Sequence, residues 1–264
     1  AMILMLLTLV FSSEVLAKTH TTTASQKSHL TKASNKQVSS KQEYSRNSAK
    51  SSSLPDLRKY PSGTPRKKAF LRTVMPYITS QNAAITAERN WLISKQYQGQ
   101  WSPAERARLK DIAKRYKVKW SGNTRKIPWN TLLERVDIIP TSMVATMAAA
   151  ESGWGTSKLA RNNNNLFGMK CMKGRCTNAP GKVKGYSQFS SVKESVSAYV
   201  TNLNTHPAYS SFRKSRAQLR KADQEVTATA MIHKLKGYST KGKSYNNYLF
   251  AMYQDNQRLI AAHM

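Results

Sequence analysis

The segment PTSMVATMAAAES, residues 140–152, constrains the fold more than any other part of the chain. Proline is tolerated at a helix start and glycine favoured just past a helix end, so Pro140 and Gly153 bracket one helix. Val144, Met147, Ala148 and Glu151 share a face, because residues three and four apart are stacked. Ala145 and the alanines 148–150 let neighbouring helices come close. A helix this apolar belongs in the interior, with other helices packed around it.

The flanking sequence supplies those helices. KKAFLRTVMPYITSQNAAITAERNWLISKQY repeats Phe70, Val74, Ile78, Ile85 and Leu92 near helical spacing, with a kink expected at Pro76. SPAERARLKDIAKRY opens with Ser102 as N-cap, Pro103 in the first turn and Glu105 to close a capping box. WNTLLERV reads as a short helix. Beyond Phe189, SVKESVSAYVTNLNTH, SSFRKSRAQLRKA, QEVTATAMIHKL and YNNYLFAMYQDNQRLIAA are helical again. Between these, residues 162–191 carry Asn, Gly and Pro punctuation, with candidate strands at 182–186 and 187–189. The expected class is α+β, mainly α: a helical body with one small β-hairpin lobe.

Composition sets the boundaries. MILMLLTLVFSSEVLA is too short and too interrupted to span a bilayer, which takes about 20 apolar residues. It reads as a secretory h-region with cleavage after Ala17, which makes residues 1–17 a signal peptide. No Lys or Arg precedes the run and the chain opens on Ala, so the natural start is expected to be trimmed; an N-terminal helix is the other reading. Residues 18–65, rich in Ser, Thr, Lys, Gln and Asn, bury too little apolar surface to offset the entropy of ordering. They are expected to form a basic tether, leaving residues 66–264 as one folded domain.

With 43 Lys+Arg against 13 Asp+Glu, the net charge of +30 calls for acidic partners. Anionic cell-envelope polymers, a membrane surface and nucleic acid all qualify. Export argues against nucleic acid, which would also need aromatic residues interleaved with the basic ones. Cys171 and Cys176, in CMKGRC, read as a disulfide in an exported protein, worth only about 2 kcal/mol for so short a loop. The zinc alternative lacks further ligands, since no His lies between His29 and His206.

Against this basic background Glu151 stands out. No Asp or Glu occurs from Ser152 to Lys193, whereas eight Lys or Arg do. Apolar helical neighbours disfavour a charged carboxylate, and so does the negative end of the helix dipole. Lys158 and Arg161 would oppose both effects if they pointed inward. The expected outcome is a carboxyl group kept protonated near neutral pH, hence a general acid of the kind glycoside cleavage requires. A solvated glutamate at a helix end is the other reading.

ESGWGTSKLA followed by NNLFGMK, with Tyr238-Ser239-Thr240 further on, resembles the bacterial β-N-acetylglucosaminidase domain of autolysins and flagellar peptidoglycan hydrolases. The similarity covers roughly residues 130–264. It implies a lysozyme-like fold and cleavage of β-1,4 bonds after N-acetylglucosamine in peptidoglycan, with no metal or organic cofactor. It further implies that Glu151 is the proton donor and that Tyr238 places a hydroxyl near the scissile bond. Asn165, Leu166, Phe167 and Gly168 would line the sugar groove. Trp154 would either join them or pack its turn against the core.

Many members of that family offer a second carboxylate in the β-lobe, and this chain has none there. Glu194 falls in the first turn of a helix, where it complements the dipole; Glu134, Asp137 and Asp223 fall near helix ends and read as capping or solvated. Attack by the substrate's own N-acetyl carbonyl would replace the missing base. A lytic transglycosylase, an amidase (for which clustered histidines are lacking) and a non-catalytic peptidoglycan binder are the competing readings.

Overall fold

In the computed structural model the described residues are 53–172, 176, 179–236, 238 and 242–264. The segment read as a signal peptide and most of the expected tether, together with Ser239 and Thr240, lie outside them. The α-helices in chain order are α1 (Thr64–Ser94), α2 (Pro103–Arg115), α3 (Trp129–Arg135), α4 (Thr141–Ser152), α5 (Lys158–Asn163), α6 (Val192–Thr205), α7 (Ser210–Lys221), α8 (Ala228–Met231) and α9 (Lys243–Ala261). Short 3₁₀ turns at Leu57–Lys59, Pro207–Tyr209 and Ile232–Lys234 join them.

The small-residue segment is α4, and it is buried on nearly every side: Met143 through Ala149, then Ser152. It packs against α1 and α9, while α1 also packs against α6. α1 runs through Pro76 as one helix of 31 residues, its core face made of Phe70, Leu71, Val74, Ile78, Ile85 and Leu92. At the start of α2, the capping box forms as its spacing requires. The Glu105 backbone N–H donates to Ser102 Oγ at 3.2 Å, and the Ser102 N–H donates to Glu105 Oε2 at 2.9 Å.

Three sequence-based expectations need correction. The first is the domain start: Leu54 and Leu57 are buried in the core, so the ordered body begins about a dozen residues before position 66. Large apolar residues were scarce in residues 18–65, yet two of them sufficed to dock the segment.

The second is the β-lobe. Among the described residues no strand forms; one isolated antiparallel bridge, Lys170 to Tyr186, stands in its place. The reason lies in the asparagine run, whose side chains take the backbone groups a ladder would use. Asn163 accepts from the Val183 N–H at 2.8 Å and donates to the Val183 carbonyl at 3.1 Å. Asn162 donates to the Gly181 carbonyl, Asn164 to that of Phe189, and Asn165 to those of Met169 and Ser187. The loop is therefore held by amides rather than by strands, and the Cys171–Cys176 disulfide closes its tip.

The third concerns Asp137, which is neither a cap nor solvated. It is 1% exposed and ringed by Arg220 at 2.9 Å, Arg89 at 3.5 Å and Arg216 at 3.7 Å. Glu134, expected to cap or face solvent, pairs with the buried Arg213 at 3.5 Å. Two of the guanidinium groups around Asp137 also donate to nearby backbone carbonyls. Arg216 reaches those of Glu134, Asp137 and Ile138; Arg89 reaches those of Leu133 and Val136. This cluster ties α1, α7 and the chain leaving α3 into one unit.

Candidate active site

Glu151 lies in the last turn of α4, half-buried. Just past that helix the chain turns through three consecutive residues with positive φ: Gly153 (58°), Trp154 (55°) and Gly155 (77°). Ser152 secures that turn, its hydroxyl donating to the Ala148 carbonyl at 2.5 Å and accepting from the Gly155 N–H at 2.8 Å. A Cβ on Gly155 would fall 2.6 Å from Leu57 Cδ1 and 3.1 Å from Phe70 Cδ2, so only glycine fits. Gly155→Ala is expected to cost about 2–4 kcal/mol, combining overpacking with an unfavourable φ. Urea denaturation checks this; a loss within about 0.5 kcal/mol would show that the turn tolerates the methyl group.

Trp154 packs edge-on against Phe70, with ring centroids 5.6 Å apart, and Lys67 Nζ lies 5.0 Å over its ring. Its contacts are thus with α1, which is the packing alternative of the two expected for it.

The N-L-F-G residues also turn inward. Asn165 (1% exposed), Leu166 (0%) and Phe167 (4%) are buried, so their side chains do not present a groove surface. Asn165 instead accepts from the Met169 N–H, fixing the turn, and the Leu166 N–H donates to Ser195 Oγ on α6. Phe167 stacks on Tyr199 of α6 at 3.9 Å between centroids, with the planes 1° apart. Gly168 is the one of the four set directly against the Glu151 carboxyl group by its backbone. With φ of +63°, it brings its backbone so close that a Cβ there would lie 3.4 Å from Glu151 Oε2. The absent side chain leaves that oxygen uncovered on the Gly168 side.

On the other side stand tyrosines. The Tyr245 hydroxyl, from the first turn of α9, donates to Glu151 Oε1. Tyr238 stacks on Tyr245 at 5.5 Å and meets Tyr199 edge-on at 6.4 Å. It shares a side-chain hydrogen bond with Tyr199, and burial followed by the nearby Glu151 charge raises its phenol well above the usual tyrosine range. The structure thus brings Glu151, Gly168 and Tyr238 together and adds Tyr245. The sequence reading passed over Tyr245, although it ends the same LKGYSTKGKSY stretch that contains Tyr238.

Burial pushes the Glu151 carboxyl above its ordinary value, and the Tyr245 hydrogen bond partly opposes this. Neither basic neighbour intervenes: Lys158 is exposed, and Arg161 Nε donates to the Thr156 carbonyl. Glu194 is occupied elsewhere, its Oε2 accepting from both the N–H and the hydroxyl of Ser190 at 2.6 Å to cap α6. Among the described residues no group of three or more His, Cys, Asp or Glu is disposed to hold a metal ion. The arrangement provides one carboxylic acid able to give up a proton, between a glycine gap and a neutral aromatic wall.

No solved structure gives a significant match to the chain. Residues 128–258 match the glucosaminidase family, described as mannosyl-glycoprotein endo-β-N-acetylglucosaminidase. That span runs from the start of α3 almost to the end of α9 and contains Glu151, Gly168, Tyr238 and Tyr245. Residues 128–258 thus form a glucosaminidase domain, and the chain is a glycoside hydrolase.

Proposed function

We propose that the protein is an exported peptidoglycan hydrolase. It cleaves β-1,4 glycosidic bonds after N-acetylglucosamine, with Glu151 as general acid and the substrate's N-acetyl group as internal nucleophile. The observation that carries this reading is a half-buried carboxyl group, raised by burial, with no second carboxylate acting on it among the described residues. A departing sugar oxygen needs a proton, and Glu151, whose carboxyl is raised by burial, supplies it. Among the described residues the base or nucleophile of the usual two-carboxylate scheme has no counterpart at this site, which favours the acetamido oxygen. Tyr238 then orients the acetamido group or steadies the cationic transition state. Trp154 and the N-L-F-G turn shape the substrate site, chiefly by holding Glu151 and Gly168 in place. The apolar run near the start of the chain supports export to the cell envelope. There the net charge of +30 favours retention on anionic polymers or a membrane surface.

Mass spectrometry of muropeptides released by purified protein tests the bond assignment. Reducing-end N-acetylglucosamine is the expected product. Anhydro-muramic ends would identify a transglycosylase, free stem peptides an amidase, and an unchanged polymer a binder. A thiazoline disaccharide, shaped like the cyclised intermediate, is expected to inhibit competitively and to bind more tightly than substrate. An inert thiazoline would reject substrate assistance.

A further inference from the structure

The two oxygens of Glu151 are not equivalent. Tyr245 donates to Oε1, so that oxygen serves as an acceptor. Oε2 faces Gly168, where the residue lacking a side chain leaves a gap one methyl group deep. We infer, resting on the reading of Glu151 as general acid, that the proton is delivered from Oε2 through the Gly168 gap. Tyr245 is the positioning residue that selects this oxygen, and Gly168 sets which leaving groups can reach it.

The step balances simply. The proton passes from Oε2 to the glycosidic oxygen while the bond from that oxygen to the anomeric carbon breaks, its electron pair staying with the oxygen. The acetamido oxygen of the same sugar bonds to the anomeric carbon, giving a cyclic oxazolinium ion. Glu151 becomes a carboxylate, and Tyr245 keeps donating to Oε1 as charge develops there. A hydrogen bond that strengthens as charge appears assists the step rather than the ground state. Burial would otherwise penalise that carboxylate.

Tyr245 is held for this task. Its ring stacks on Tyr238 and meets Tyr248 at 6.2 Å, and it is anchored at the start of a helix packed on α4. The titratable groups facing Glu151 among the described residues are Tyr245 on α9 and Tyr238 on the segment before it. Burial raises both phenols, so both are neutral in the working range and Tyr245 remains a donor. The Gly168 turn contributes backbone only.

Two variants test the assignment on glycan strands freed of stem peptides. Tyr245→Phe keeps the ring and removes the donor. Its kcat is expected to fall about tenfold or more with little change in KM. A general acid works only while protonated, so activity is lost as pH rises through its pKa. Removing a hydrogen bond to the carboxylate raises that pKa, and the alkaline limb should move up by about one pH unit. With an aryl glycoside of an N-acetylglucosamine oligomer, whose nitrophenolate leaves without protonation, the penalty should largely vanish. Gly168→Ala puts a methyl group against Oε2 and should lower kcat on the sugar substrate at least tenfold. Circular dichroism and melting temperature verify that each variant is folded.

An unmoved alkaline limb with full kcat in folded Tyr245→Phe would overturn the inference, as would full turnover by Gly168→Ala. If Tyr245→Phe does not fold, Gly168→Ala decides alone. Wild-type protein that cleaves no glycan, or a fully active Glu151→Gln, would instead defeat the general-acid reading itself, so the two failures are distinguishable.

Discussion

Glu151→Gln is expected to abolish glycan cleavage while leaving the fold intact. The amide oxygen of glutamine still accepts the Tyr245 hydrogen bond, and a neutral amide suits a half-buried site at least as well as a carboxyl group. What disappears is the transferable proton. General acid catalysis contributes about 10²–10⁴-fold, so kcat should fall by at least the lower figure with the melting temperature held. In the wild type, burial raises the Glu151 carboxyl, so the alkaline limb of its pH profile should lie above the ordinary glutamate range. Product analysis by mass spectrometry is the appropriate readout, because residual binding could mimic slow clearing of the polymer. Activity retained within a few-fold would remove Glu151 from the mechanism.

The second large effect concerns stability and lies away from the active site. Burial alone would raise the Asp137 carboxyl; the Arg220 hydrogen bonds and the charges of Arg216 and Arg89 outweigh it and hold the group below its usual value. Burial acts on Arg216 as well, pulling its guanidinium down to about 10 despite the Asp137 charge. Asp137→Asn would leave several guanidinium groups inside without their counterion. Breaking a buried ion pair from one side typically costs about 3–5 kcal/mol. At roughly 2–4 °C per kcal/mol for a domain of this size, the melting temperature should drop by about 6–20 °C.

The pH dependence arises from the same site. A carboxyl whose folded pKa is depressed contributes stability that is complete above its unfolded pKa, near 3.9, and is lost as pH falls through the folded value. Wild-type stability should therefore decline on acidification below about pH 4, and Asp137→Asn should lack that share of the slope. Calorimetry across the acid range measures both. A loss under about 1 kcal/mol would show that the arginines are adequately served by the backbone carbonyls they already contact.

The helices were legible in the sequence because each rests on local physics. Periodicity, the Ser102–Glu105 capping box and the Pro140–Gly153 bracket all act within a few residues of one another. Glu151 could be singled out for a related reason: its own helix supplies apolar neighbours, and both are written side by side. The Cys171–Cys176 bridge spans five positions and was equally visible.

Tertiary structure decided the rest, since it pairs groups whose separation in the chain has no local signature. Whether Asn163 would cap a turn or displace a strand depended on Val183, twenty residues away. Asp137 looked like a solvated acid until Arg89, 48 residues before it, and Arg220, 83 after it, converged on one buried point. Tyr245 reaches Glu151 across 94 residues, only because α9 packs on α4. By itself the sequence determined that this protein is mainly helical and basic, and it set Glu151 apart as the acid at the end of an apolar helix. The packing determined which oxygen of that acid Tyr245 engages, because a hydrogen bond between distant residues exists only once the helices carrying them have met.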